Sequence, residues 1–144
     1  MNRNHRFVVA VALGCAVAAA FSSGTGAVEV NDLKGFEQLF GRYAPAGDCK
    51  RQPQFVVDVS GFTFEVGGKT EKVTNPEYAA SYGGRDYQGS EMWFFPFRTG
   101  DGYEILMTFN AGEKSGVVTI DGHEPKASPR NAALIKGSPY AKCK

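Results

Sequence analysis

From residue 55 onward the chain repeats one pattern: short segments rich in Val, Ile, Phe and Tyr, separated by turns that contain glycine. Residues 55–59 and 62–66 flank Ser60 and Gly61, which predicts a tight β-hairpin. Residues 70–74 and 117–120 continue the pattern, and Asp121 and Gly122 are expected to close the last segment as a turn. The pattern predicts antiparallel β-structure, arranged as a meander sheet or a small barrel.

The most apolar hairpin is predicted for residues 92–97 and 103–109, joined by a turn at 99–102. Both faces of these segments are apolar, which places them in the centre of the sheet, and Pro96 indicates a bulge or an edge. The aromatic run beginning at Trp93 could offer a stacking platform for sugars. Burial in the core is favoured, because large apolar side chains on a central strand have to be buried.

A short helix is predicted near each end of this sheet. Apolar residues recur at helical spacing after Asn31 and Asp32, which predicts an amphipathic helix over residues 33–43. Residues 129–136 predict a second short helix, ended by Gly137 and Pro139. The predicted fold class is therefore α+β, mostly antiparallel β, with a short N-terminal and a short C-terminal helix.

The first 27 residues have the pattern of a secretory signal. Basic residues from Arg3 to Arg6 precede an uncharged run over 7–21, and small residues then lead to Ala27. The apolar run is short for a membrane span, and a lipid anchor on Cys15 is disfavoured because alanine stands where a larger aliphatic residue is usual. We expect residues 28–144 to form a single periplasmic or secreted domain, with no membrane span after signal cleavage.

Two cysteines remain after removal of the signal, Cys49 and Cys143. An even pair in an oxidising compartment predicts a disulfide, and their wide spacing disfavours a redox or metal role. The bridge is expected to join the beginning of the domain to its end.

Composition argues against several kinds of chemistry. Sixteen basic residues oppose fifteen acidic ones, so the net charge of +1 provides no electrostatic footprint for nucleic acid. His123 is the one histidine outside the signal, and no GxSxG motif occurs. Asp101, Asp121 and Glu124 lack the spacing of a calcium loop. We expect no cofactor, no metal and no catalytic residue, although the many carboxylates leave a glycosidase open.

Residues 81–89 are the best candidate for a functional segment. They combine tyrosine and arginine, which are favoured at binding hot spots, with glycines that let a loop fit closely into a cleft. The alternative is a long surface loop whose tyrosines lie back on the sheet. Loops carry binding more often than strands do, and residues alone leave both readings open.

The run Gly83-Gly84-Arg85-Asp86-Tyr87, followed by Trp93 on a strand, resembles the small periplasmic and membrane-bound inhibitors of c-type lysozyme. Those proteins carry a Ser-Gly-x-x-Tyr loop that enters the lysozyme cleft, and cysteines bridge near the two ends of their β-barrel. Here glycine stands in place of the serine, and Arg98 is the nearest match to a later Lys-Gly element. The resemblance implies a cell-wall lytic enzyme as protein partner and a binding site that includes Gly83, Gly84, Tyr87 and Arg98. Residue type adds Tyr82 and Arg85 from the same loop to this candidate site.

Two classes of function follow from the sequence. The first is an exported binding protein, an inhibitor or immunity protein against a lysozyme-like cell-wall hydrolase. The second is a small cell-envelope enzyme or carbohydrate-binding domain. A buried Trp93 and a protruding Arg85 favour the first class, whereas a solvent-facing Trp93 beside Tyr103 favours sugar stacking.

Overall fold

The computed structural model describes residues 26–80, 82–99, 102–122 and 127–144. The predicted signal therefore lies outside the described residues except for its last two positions. Asp101, His123 and Glu124 also lie outside them.

Short antiparallel strands make up most of the regular secondary structure of the described residues. The strands are β1 (Val28–Glu29), β2 (Gly41–Pro45), β3 (Gln54–Asp58), β4 (Gly61–Val66), β5 (Lys69–Val73), β6 (Glu77–Tyr78), β7 (Met92–Phe95), β8 (Arg98–Thr99), β9 (Gly102–Tyr103), β10 (Ile105–Phe109), β11 (Val117–Gly122) and β12 (Tyr140–Lys142). Ten of them form one sheet in the order β1-β6-β7-β10-β11-β12-β2-β3-β4-β5, which curls into a half-barrel, while β8 and β9 pair separately. The prediction of a mostly antiparallel β fold is confirmed.

The predicted hairpin around Ser60 is present as β3 and β4, which pair from Gln54↔Glu65 to Asp58↔Gly61. Gly61 adopts a φ of +125°, and a Cβ there would overlap the backbone of Val73 on β5. Only glycine fits such a position, which explains why the turn signal was readable from the sequence.

The apolar hairpin is also present, since β7 and β10 pair side by side within the sheet. Pro96 follows the last residue of β7, and the chain continues into the two-stranded ribbon of β8 and β9. The turn predicted at Asp121 and Gly122 is wrong, because β11 runs through both residues, which pair with β10.

The predicted N-terminal helix over residues 33–43 is replaced by a short 3₁₀ helix at Glu37–Leu39 followed by β2. The apolar residues that suggested a helix are buried in another way, with Leu33 and Leu39 inside the core. Strand β2 bonds to β12 on one side and to β3 on the other. Two ladders of backbone hydrogen bonds outweigh the weak helical preference of a short segment.

The C-terminal helix is confirmed as α1, Pro129–Gly137. The Ser128 hydroxyl accepts a hydrogen bond from the Asn131 N–H, and Pro129 occupies the first turn, as is typical of a helix start. Leu134 is fully buried, and the helix packs mainly against β11.

Aromatic rings fill the interior of the half-barrel. They contact one another at centroid distances between 5.0 and 6.3 Å, many of them edge to face. The hydroxyls of Tyr43 and Tyr140 donate to the carbonyls of Leu39 and Leu134, and burial raises the pKa of Tyr43 to about 12. The fully buried rings are Tyr43, Phe55, Phe62, Phe64, Phe94, Phe109 and Tyr140.

The predicted disulfide is confirmed: Cys49 and Cys143 are joined across a sequence separation of 94 residues. Cys49 lies between β2 and β3, and Cys143 directly follows β12. The bridge therefore joins the segment between β2 and β3 to the segment that follows β12.

Candidate functional site

A second, smaller apolar layer lies on the outer face of the half-barrel. Side chains alternate along a strand, so Phe94 of β7 points into the interior while Trp93 and Phe95 point outward. Together with Ala79 and Leu106 they form a buried group, which we call the outer cluster. Trp93 is only 5% exposed. An outward-facing layer this apolar needs a cover, and the chain after β6 provides it.

Residues 82–90, the outer loop, cover this layer with two tyrosines. The ring of Tyr87 lies 5.0 Å from that of Trp93, and the ring of Tyr82 lies 5.7 Å from Trp93 and 5.9 Å from Phe95. Gly83 sits so close that a Cβ there would be 2.5 Å from Cη2 of Trp93. The tyrosines therefore do lie back on the sheet, and the loop is packed through its aromatic side chains.

The polar side chains of the outer loop have the opposite orientation. Arg85, Asp86 and Gln88 are exposed, and Tyr82 retains 48% of its accessible surface. Among the described residues, Arg85 forms no salt bridge. Gly84, with a φ of +95°, adopts the left-handed backbone that glycine tolerates best and turns the chain just before Arg85. The loop thus presents an exposed guanidinium above a layer of packed aromatic rings.

A carboxylate from a distant turn holds the second half of the outer loop. Glu113 accepts hydrogen bonds from the hydroxyl of Tyr87 and from the N–H and Oγ of Ser90, the latter two at 2.6 Å. The Tyr87 hydroxyl in turn accepts from the N–H of Glu91 at 2.7 Å. The hydrogen bonds from Ser90, followed in importance by the one from Tyr87, keep the pKa of Glu113 below its usual range. The carboxylate is therefore ionised at neutral pH.

Arg98, the remaining residue implied by the resemblance, lies on β8 and forms a salt bridge of 3.1 Å with Glu77 of β6. The Glu77 side chain is 8% exposed, and it also accepts a hydrogen bond from the hydroxyl of Tyr103. This bond is the main cause of the raised pKa of Tyr103. The ring of Tyr103 packs against that of Phe95, tilted by 36° with the centroids 4.3 Å apart, which connects Arg98 to the outer cluster.

The structure therefore places the six residues of the predicted site around one outer layer, in different roles. Tyr82, Gly83 and Tyr87 pack on Trp93, Arg85 is exposed, and Arg98 is paired with a buried carboxylate. Sequence reasoning missed Glu113 and Glu77. No local pattern marks either residue, since Glu113 follows Ser90 by 23 residues and Tyr103 follows Glu77 by 26.

Over residues 26–80, 82–99, 102–122 and 127–144, no three His, Cys, Asp or Glu side chains are grouped in a way that could hold a metal ion. In that same part of the chain, no helix combines the length and hydrophobicity needed to cross a bilayer. Comparison with protein-family models, curated proteins and solved structures found no match to the chain.

Gly83 provides a direct test of how tightly the outer loop is packed. Gly83→Ala is expected to lower the free energy of unfolding by about 1–3 kcal/mol, because the new methyl would overlap Trp93 and Tyr87. The measurement is urea unfolding followed by circular dichroism. Gln88→Ala, which changes an exposed side chain of the same loop, should leave the midpoint unchanged. Equal stability of the two variants would show that the loop is loosely packed.

Proposed function

We propose that this chain is an exported binding protein that blocks a lysozyme-like cell-wall hydrolase by inserting its outer loop into the enzyme's cleft. The observation that carries the proposal is the division of the loop into two sides. Its tyrosines are packed on Trp93, whereas Arg85, Asp86 and Gln88 are exposed. A loop whose purpose is only to cover the outer cluster does not need an exposed arginine, free of salt bridges to the described residues, next to a left-handed glycine.

The chemistry of Arg85 suits an acidic catalytic cleft. A guanidinium binds a carboxylate with two parallel hydrogen bonds, which are stronger than bonds between neutral groups. Glycoside hydrolases of this kind carry two catalytic carboxylates. Asp86 follows Arg85 directly and offsets its charge. The attraction must therefore come from the geometry of a bidentate pair, and not from a broad positive surface.

Packing of the loop lowers the cost of binding. A flexible loop loses conformational entropy when it is immobilised in a cleft, and that loss subtracts from affinity. Here Tyr82 and Tyr87 already rest on the outer cluster, and Glu113 holds the segment from Tyr87 to Ser90. Arg85 lies between these two fixed points, which supports a loop that is ordered before it meets its partner.

The carbohydrate-binding alternative is supported by one observation. An open hollow of about 460 Å³ lies beside the outer loop, with Tyr78, Tyr87 and the amides of Gln38 and Asn110 in its lining. Trp93 offers little surface for stacking a sugar, because it is 5% exposed. Titration with soluble peptidoglycan fragments would show binding under this alternative, and Gln38→Ala would weaken it.

Arg85→Ala is the decisive variant for the proposed function. The purified wild-type protein should inhibit at least one c-type lysozyme at near-stoichiometric ratio in a cell-wall clearing assay. Arg85→Ala should raise the inhibition constant by about 30-fold or more, the effect of losing a binding hot spot. Its melting temperature should equal that of the wild type, because the exposed Arg85 side chain forms no salt bridge among the described residues.

Arg51→Ala is the matched control, since it removes an exposed arginine from the turn before β3. It should leave inhibition unchanged. Equal inhibition by the Arg85 variant and the wild type would remove the outer loop from the site. Absence of inhibition across a panel of lysozymes would refute this class of partner.

A further inference from the structure

We propose that Glu113 is the positioning residue of the outer loop: its ionised carboxylate holds residues 87–91 in the conformation that presents Arg85. This role rests on the proposed function, since it assigns regulation to the same binding loop. Glu113 would not touch the partner's catalytic groups in this role. It would act through Tyr87 and Ser90, to which it is hydrogen-bonded.

The first argument is that the bonds run in both directions between two segments. The loop donates three hydrogen bonds to Glu113, from Tyr87 and Ser90. In return, the N–H of Gly112 donates to the carboxylate of Glu91 at 2.6 Å, and the side-chain amide of Asn110 donates to the carbonyl of Ser90 at 2.9 Å. Such a reciprocal clasp fixes the orientation of the loop, which aromatic contacts alone leave free to slide.

The second argument is the backbone of the turn that carries Glu113. Asn110 and Glu113 have φ angles of 55° and 61°, a left-handed conformation that residues other than glycine seldom adopt. Such conformations persist where the surroundings hold them, and they concentrate at functional sites. Glu113 combines this conformation with three hydrogen bonds that its side chain accepts from the loop.

The third argument is the fit between Glu113 and Gly89. A Cβ at Gly89 would overlap both the Glu113 carboxylate and the Tyr87 hydroxyl. Gly89 has an ordinary φ, so its backbone alone does not require glycine. The absence of a side chain is what allows the carboxylate to approach. Gly89 and Glu113 are far apart in the sequence, yet the first leaves the space that the side chain of the second occupies.

The charge state of Glu113 sets when the clasp is closed. The bonds from Ser90 and Tyr87 lower the pKa of Glu113, and a lowered folded-state pKa means that the clasp is stabilised at neutral pH and lost as pH falls through that value. Tyr87 is the titratable group that contacts the carboxylate, Glu91 is joined to the same hydroxyl, and Lys114 follows on its own turn. The loop should therefore be released only in acid.

The sequence supplies its own reporter for this test, because Trp93 is the only tryptophan and lies beneath Tyr87. Hydrogen exchange of the Ser90 and Glu91 amides would be measured together with Trp93 emission in the full-length protein. Glu113→Gln should speed exchange of both amides by about tenfold, the effect of losing a hydrogen bond to a charged acceptor. Trp93 emission should shift to the red in the wild type as the solution is made acidic, and the variant should already show the shifted emission at neutral pH.

Two further variants keep the test specific. Gly89→Ala retains the carboxylate but blocks its approach, and it should reproduce the exchange rates of Glu113→Gln. Asp121→Asn, which neutralises an exposed acid on β11, should exchange like the wild type. Exchange within the β3–β4 hairpin serves as the measure of global folding in every variant.

The outcomes separate the positioning role from the proposed function. Unchanged exchange at Ser90 and Glu91 in both Glu113→Gln and Gly89→Ala would overturn the clasp. Faster exchange with undiminished lysozyme inhibition would overturn the positioning role. Faster exchange in a protein whose wild type inhibits no hydrolase would support the clasp and refute the proposed function. Faster exchange together with at least tenfold weaker inhibition is the result expected if the positioning role and the proposed function are both correct.

Discussion

Replacing Cys49 and Cys143 together with serine is expected to lower the free energy of unfolding by about 4–5 kcal/mol. The bridge spans a sequence separation of 94 residues, and its removal returns to the unfolded chain the conformational freedom of a long loop. Urea unfolding of the double variant, followed by circular dichroism, measures the loss. Outer-loop contacts lie away from both cysteines in the sequence, so the emission of Trp93 in the folded fraction should match that of the wild type.

A reducing agent provides the control for this effect. Dithiothreitol should destabilise the wild type by the same amount and leave the double serine variant unchanged. A loss below about 1 kcal/mol would mean that the unfolded chain is already compact without the bridge.

Trp93→Ala is expected to cost about 3–5 kcal/mol, the range observed when a large buried aromatic side chain is truncated. Trp93 is 5% exposed and contacts Tyr82 and Tyr87 by ring packing. Its removal would empty the centre of the outer cluster and take away the surface on which the outer loop rests. We therefore expect a lower melting temperature, measured by circular dichroism, and, under the proposed function, loss of lysozyme inhibition.

Trp93→Phe is the matched variant, because it retains a ring on the same face of β7. It should recover most of the stability lost in Trp93→Ala. If the alanine variant were as stable as the wild type, the outer cluster would be no more than surface cover, and the loop would not depend on it.

Local patterns explain which parts of the fold were predictable. The hairpin of β3 and β4 has a period of two and a turn whose glycine is required by close backbone contact, so neighbouring residues suffice to recognise it. Helix α1 has a proline in its first turn and a serine cap, which are also local signals. The disulfide was predictable from the number of cysteines, because only two remained outside the predicted signal.

The prediction of an N-terminal helix was wrong because the interactions that decide the conformation of this segment are not local. Residues 33–40 have apolar spacing that suits one face of a helix, yet Gly41–Pro45 is a strand held between β3 and β12. Strand β12 has only three residues and comes from the far end of the chain. A helix and a strand of this length differ little in intrinsic preference, so partners from distant segments decide between them.

In the candidate site, the residue types were predictable from the sequence, whereas their contacts were not. Tyr82, Gly83, Arg85 and Tyr87 were recognisable by residue type, because tyrosine, glycine and arginine are typical of binding loops. Their separate roles were not recognisable. Which ring lies on Trp93 depends on the curl of the sheet and on Glu113, 23 residues beyond Ser90. The pairing of Arg98 with Glu77, on another strand, is also decided by the tertiary structure.

The amino-acid sequence by itself determined the antiparallel strands, the positions of the main turns, the C-terminal helix and the cysteine pair. These depend on periodicity, backbone conformation and residue counts, which are properties of short segments. The tertiary structure alone decided the strand order, the replacement of the N-terminal helix, the outer cluster and the clasp by Glu113. Each of these is a contact between residues far apart in the chain, and its energy depends on packing and hydrogen bonding that exist only once the sheet has curled.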